Sequence, residues 1–235
     1  MKDIVYMGIL SGLLTFFGCS NPKKGHLITT TGSSGKDTTI NVNDILATTP
    51  TIENTFPDFE NKTDSTDLQI LEDDWRQIEF ISKDQKSSIQ TEIDSINYIF
   101  EHKVHKGPGY LGFKDIYVRR LIEHPLSIPL NRILSYLGGG DTKQSGLAIL
   151  NNSGRVKNGF SLVCNGVEYY GLKDNKNNVT TFCISGAESD KDLDNGIKKL
   201  SKFLKSENLF LVHWTHTIMF DETNIQQLVA DFESK

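Results

Sequence analysis

The chain lacks an apolar run long enough to cross a bilayer as a helix. Its longest, Ile4 to Phe17, falls short of the roughly 20 residues a spanning helix needs. It lacks a basic excess: 25 Lys and Arg face 30 Asp and Glu, a formal net charge of -5, which argues against a nucleic-acid partner. Cysteine is scarce, with Cys19, Cys164 and Cys183 the only three, so no disulfide-dense scaffold is in prospect. There is no Gly-x-Ser-x-Gly nucleophile elbow. The segment Gly32-Ser33-Ser34-Gly35-Lys36-Asp37 lacks the spacer of a phosphate loop and the Ser or Thr that follows its Lys. Residues 20–66 have little apolar surface. Isolated Ile40, Val42 and Ile45 stand among Thr, Ser, Asn, Asp, Gly and Pro, too few to offset the entropy of ordering the segment.

What is present begins at the N-terminus. The apolar run has the length of a signal-peptide core and is followed at once by Gly18-Cys19-Ser20-Asn21. Residues 1–22 resemble a bacterial type II signal peptide, with Phe16 and Phe17 standing where that family usually carries Leu and a small residue. The resemblance implies that residues 1–18 are removed and that Cys19 becomes the first mature residue. Cys19 would then carry acyl chains such as palmitate. Several chains are what stable anchoring requires, each buried methylene contributing roughly 0.8 kcal/mol. Membrane lipid is thus one expected partner, through Cys19. Ser20 stands where Asp would retain such a protein in the inner membrane. The resemblance therefore implies an outer-membrane lipoprotein of the cell envelope facing the periplasm, with the inner membrane as the alternative. Residues 19–66 read as a lipidated, disordered tether, and Lys23-Lys24 lie where anionic head groups would be met.

Residues 67–235 read as a single globular domain of α+β class. Trp75 to Ile81 reads as a strand. Ile89, Ile93, Ile96 and Phe100 recur at helical spacing over 84–104, with Gly107-Pro108-Gly109 as the stop. Ile116 to Leu121 reads as a short strand or one helical turn, and Pro129 opens a helix carrying Leu130, Ile133, Leu134 and Leu137. Residues 147–185 read as an antiparallel meander, because Asn165-Gly166 between alternating runs is a strong hairpin signal. Ser189 to Asp192 is a relaxed capping box for a helix with a Leu193, Ile197, Leu200, Phe203 stripe. Its acids at the start and Lys198, Lys199, Lys202 and Lys205 toward the end complement the helix dipole. A long strand over 208–220 and a last helix carrying Ile225, Leu228, Val229 and Phe232 complete the domain. The expected fold is an antiparallel sheet, the meander plus strands near 75–81 and 208–220, packed with about four helices.

Candidate chemistry is sparse. His213 and His216, placed on a continuous strand three residues apart, point to opposite faces and do not share one ion. His102 and His105, at the end of the 84–104 helix, share a face but have no acidic third ligand at a recognisable spacing. These four are the only metal candidates, and neither a metal nor a cofactor is expected. Cys164 and Cys183 lie two strands apart in the meander, about 10 Å, against the ~7 Å Cα separation of a disulfide, so the hairpin disfavours their pairing. Arg119-Arg120 reads as a small solvated basic spot. No catalytic residue is identified, and the chain reads as more a binding protein than an enzyme. The leading expectation is a periplasm-facing domain that binds a protein partner, one version being a toxin-neutralising immunity protein. The alternatives are a cell-envelope metal-assisted hydrolase and a structural envelope lipoprotein.

Overall fold

The structure is a computed structural model that describes residues 27–31, 37–41, 46–62, 64–107, 110–119, 125–139, 141–150, 154–187 and 190–233. The apolar run Ile4–Phe17, Cys19 and Lys23-Lys24 lie outside the described residues. So do Pro108-Gly109, Arg120 and Ser189.

The meander is the frame. Strands β14 (Gly159–Cys164), β15 (Val167–Lys173) and β16 (Asn178–Ala187) are consecutive antiparallel neighbours. Asn165 and Gly166 join the first two at φ 52 and 73, the doubly left-handed turn whose twist matches that of the flanking strands. Asn177 does similar work at φ 65, while the Asp174 carboxylate accepts from the Lys176 and Asn178 N–H groups, both at 2.8 Å. Outside β14 lies β11 (Lys143–Ser145), and on the far side of β16 lie β10 (Ile128–Pro129) and β6 (Ile78–Ser82). Strand β6 pairs in turn with β17 (Leu209–His213), which pairs with β18 (Ile218–Phe220). These eight strands form one antiparallel sheet. Its weakest ladder is central: β16 meets β6 at Cys183 and Glu79 alone.

Alternation along the strands sorts the two faces of this sheet. Ile78 and Phe80 of β6, Tyr169 of β15, Phe182 and Ile184 of β16 and Leu211 of β17 face one side. There they meet Ile133 and Leu137 of α2 (Leu130–Leu137), Leu200, Phe203 and Leu204 of α3 (Asp190–Ser206), and Leu228 of α4 (Gln227–Glu233). Phe80 and Phe182 stack at 4.7 Å, and Phe203 meets Phe80 edge-on at 5.5 Å. Each such ring, fully buried, contributes roughly 2–3 kcal/mol. On the opposite face, Ile81, Phe210 and Val212 receive Ile89, Ile93 and Ile96 of α1 (Lys86–His102). Beside them Tyr170 and Cys183 pack against Trp75 and a second, four-stranded sheet.

That second sheet runs β4 (Phe59–Glu60), β13 (Arg155–Val156), β12 (Leu147–Ile149) and β5 (Leu68–Ile70), with β12 and β5 parallel. Three further pairs are β1 (Leu27–Thr31) with β2 (Asp37–Asn41), β3 (Thr51–Glu53) with β9 (Tyr117–Arg119), and β7 (Val104–Gly107) with β8 (Tyr110–Phe113). The chain is α+β, with four described helices around a large antiparallel sheet.

Four local expectations are corrected. Leu147–Ile149 does not extend the meander, because its backbone pairs with β5 and β13 in the small sheet. Helix α1 ends at His102, where the Lys103 N–H still reaches the Ile99 carbonyl at 2.8 Å; the following residues turn back as the β7–β8 hairpin. The 208–220 run is a hairpin, broken at Trp214–Thr217, where Thr217 takes φ 56 and its N–H reaches the Trp214 carbonyl at 3.2 Å. Packed structure also begins before residue 67. Thr51, Ile52 and Glu53 are buried beside β9, and β4 joins the small sheet. Three buried side chains in β3 and two half-buried ones in β4 are enough once another strand supplies the backbone partners.

Candidate functional site

The largest cluster of buried charge among the described residues lies in one place. Glu53 from β3, Arg119 from β9, Arg76 before β6 and Glu79 within β6 converge behind the weak β16–β6 seam. Arg76 leaves the helical and extended regions, at φ 56. Its N–H donates to the Tyr170 hydroxyl at 2.8 Å, and that hydroxyl donates to the Asp74 carbonyl at 3.0 Å. From this kink the Arg76 guanidinium turns onto Glu79, with Nη2 2.6 Å and Nε 2.9 Å from Oε1. It stands 3.6 Å from Glu53 Oε1 on its other flank.

Arg119 is 1% exposed. Its Nη2 donates to the Arg76 carbonyl at 3.0 Å, its Nη1 to Thr51 Oγ1 at 3.3 Å and to Gln77 Oε1 at 3.4 Å, and its Nε lies 3.8 Å from Glu53 Oε2. The guanidinium also lies 5.2 Å over the Trp214 ring, a cation–π placement. Gln77 ties the group together, donating to the Thr51 and Asp73 carbonyls, both at 2.9 Å, and accepting from Thr215 Oγ1 at 2.9 Å.

Two arginines and two glutamates balance in charge. Burial opposes the charge on Arg76, but Glu79 and Glu53 beside it hold its guanidinium above the usual value. Burial pushes Arg119 down, to about 10, against the pull of Glu53 and Glu79, so it stays charged at neutral pH. Burial pushes the Glu79 carboxyl up despite Arg76, and Glu79 Oε2 has no hydrogen-bond partner. Burial likewise raises the Tyr170 hydroxyl and the Cys183 thiol beside it. The cluster is nearly closed to solvent, with only Arg76 partly exposed. Its chemistry is that of a lock, fixing β3, β9, the start of β6 and β15 where backbone pairing is thinnest.

Sequence reasoning missed this cluster. It read Arg119 as solvated and Glu53 as tether, because no spacing links residues 51–53, 76–79 and 117–119.

The histidines fall differently from expectation. His105 lies on β7, off the helix that ends at His102, so the two do not share a helical face. His102 stacks on Tyr98 at 4.2 Å, and its Nδ1 meets the Tyr98 carbonyl at 3.0 Å. His213 and His216 come together because the strand breaks between them, their rings parallel within 6° at 4.0 Å. The His216 backbone N–H can only donate, and it points to His213 Nδ1 at 3.3 Å. Neutral His213 in this arrangement accepts at Nδ1 and carries its ring proton on Nε2. Among the described residues no group of three or more His, Cys, Asp or Glu side chains is arranged to hold a metal ion.

Cys164 and Cys183 are both free and buried, and they lie on opposite faces of the sheet, in separate core clusters. Burial raises both thiols. A shallow depression of about 230 Å³ is lined by Pro57, Asp58, Lys157, Asn158, Lys173 and Thr180. Exposed apolar bulk is confined to Phe56, Leu71, Tyr98 and Leu150 among the described residues. Leu71 and Leu150 follow directly on the parallel partners Ile70 and Ile149, and the Leu150 N–H reaches the Ile70 carbonyl at 2.8 Å, so both stand at the end of β5 and β12. No described helix is long and apolar enough to cross a membrane. Comparison with protein-family models, curated proteins and solved structures returns no match.

Proposed function

We propose that the chain is a membrane-anchored bacterial lipoprotein whose α+β domain binds a protein partner on the periplasmic side of the outer membrane. The observation that carries anchoring is Cys19, placed directly after Gly18 and the apolar run Ile4–Phe17. The partner-binding reading draws support from the adjacent exposed leucines, 52% exposed at Leu71 and 39% at Leu150. Exposed apolar side chains suit the core of a protein interface, which is more apolar than the surface around it. An immunity protein that neutralises an incoming toxin is the specific version of this proposal.

Partner capture tests it. The lipidated chain is cross-linked in intact envelopes and compared with a Leu71→Asp, Leu150→Asp variant of matched thermal stability. The binding reading expects a discrete partner band that the variant loses. A wild-type chain that cross-links to no protein would leave it a structural envelope lipoprotein.

A further inference from the structure

Helix α3 carries a second feature that the buried cluster does not explain. Its inward face is set by Ile197, Leu200, Phe203 and Leu204, all buried. Lys198, Lys202 and Lys205 occupy the opposite face at spacings of four and three residues, all exposed. These spacings stack side chains along one ridge. From Ile197 to Ser206 the helix contains four lysines and no acid. The fourth, Lys199, turns aside to the Gly138 carbonyl at 2.9 Å and Asn165 Oδ1 at 3.2 Å, closing the α2 terminus and the β14–β15 turn. No described acidic side chain pairs with the three ridge lysines. The helix dipole favours lysine toward this end, as the sequence suggests, but its pull is concentrated on Lys205 in the last turn and is weak at Lys198 and Lys202. In a chain of net charge -5, a ridge of three lysines with no described acidic partner goes against the overall balance.

From this ridge we infer that α3 rests on an anionic phospholipid surface, which orients the tethered domain relative to its own membrane. The chemistry favours lipid head groups over an acidic protein. A protein interface is built around buried aromatic or aliphatic anchors and is depleted in lysine. Among its described side chains, the exposed face of α3 offers lysine and serine only. A head-group layer needs no such anchors, since it meets charge with mobile charge and is screened by salt. The inference rests on the proposed anchoring, which places the domain within reach of a bilayer.

The test uses the full lipidated chain reconstituted in vesicles of phosphatidylcholine alone or of phosphatidylcholine with phosphatidylglycerol. Lysines are acylated with a water-soluble ester and read by peptide mass spectrometry, with exposed Lys62 and Lys176 as internal references. Labelling of Lys198, Lys202 and Lys205 is expected to fall on anionic vesicles only, and to recover in high salt. Lys198→Ala is expected to weaken protection of the other two by about fivefold. Equal labelling on both vesicles, or protection indifferent to salt, overturns the inference. Protection that appears only when envelope proteins are added also overturns it, and assigns the ridge to an acidic protein. The mass of the Cys19 peptide in the same sample reports acylation independently, so a failed anchor is distinguished from a failed ridge.

Discussion

Arg119 is the more deeply buried of the two arginines in the cluster, 1% exposed at its side chain against 11% for Arg76. It is almost fully buried and charged; its Nη1 and Nη2 donate to Thr51, Gln77 and the Arg76 carbonyl, while its Nε stands 3.8 Å from Glu53 Oε2 without a hydrogen bond. Removing one member of a buried ion pair strands the other without solvent or partner. Arg119→Met is therefore expected to lower the unfolding free energy by about 3 kcal/mol in urea titration, and adding Glu53→Gln should recover part of the loss. A single variant as stable as wild type would show that the cluster is not a lock. Glu79 gives a pH-dependent counterpart. Its carboxyl titrates above the usual value because burial disfavours its charge. A group whose folded pKa is raised contributes stability that is complete below its unfolded pKa, near 4.5, and is lost as pH rises through the folded value. Across that window the stability difference between wild type and Glu79→Gln should move in favour of Gln. Movement toward wild type would show that the charge on Arg76 outweighs the cost of burying Glu79. Nothing in the local sequence marked these residues. An Arg beside another Arg resembles a solvated spot until strands 51–53 and 78–82 enclose it.

At the scale of elements, signals carried within a few residues were legible and those set by distant partners were not. Asn165-Gly166 identified the β14–β15 hairpin because the turn chemistry is local. The apolar stripes of α1 and α3 identified those helices because their period is local. Leu147–Ile149 was assigned to the wrong sheet, because its partners are Leu68–Ile70 and Arg155, outside any sequence window. The turn at Trp214–Thr217 escaped because it contains no Gly, Asn or Pro. Thr217 holds its left-handed backbone with a side-chain bond to Asn97 of α1, 2.8 Å away. The meander itself is testable at two glycines. A Cβ at Gly171 would sit 2.0 Å from the Thr181 carbonyl oxygen of the neighbouring strand, whereas one at Gly186 would meet nothing within 4 Å. Gly171→Ala should cost about 3 kcal/mol, and Gly186→Ala should stay within about 0.5 kcal/mol, both read by thermal melting. Equal effects would mean that β15 and β16 do not approach as described.

At the scale of the whole molecule, the fold class followed from the mixture of periods along the chain. The boundary of the packed domain did not. Composition placed it at residue 67, but Thr51–Glu53 and Phe59–Glu60 supply strands to two sheets and Glu53 supplies a buried charge. Any tether to the membrane is correspondingly shorter, which brings the domain and its α3 ridge nearer the bilayer. The account as a whole depends on the anchor. Its most direct test is the distribution of Cys19→Ala between soluble and membrane fractions, with retained folding checked by circular dichroism. The account predicts that wild type sediments with membranes as an acylated, shortened chain. The variant should carry no acyl group and lose that firm attachment, with any residual charge-driven association released by high salt. A Cys19→Ala chain that stays with membranes in high salt exactly as wild type does would contradict it.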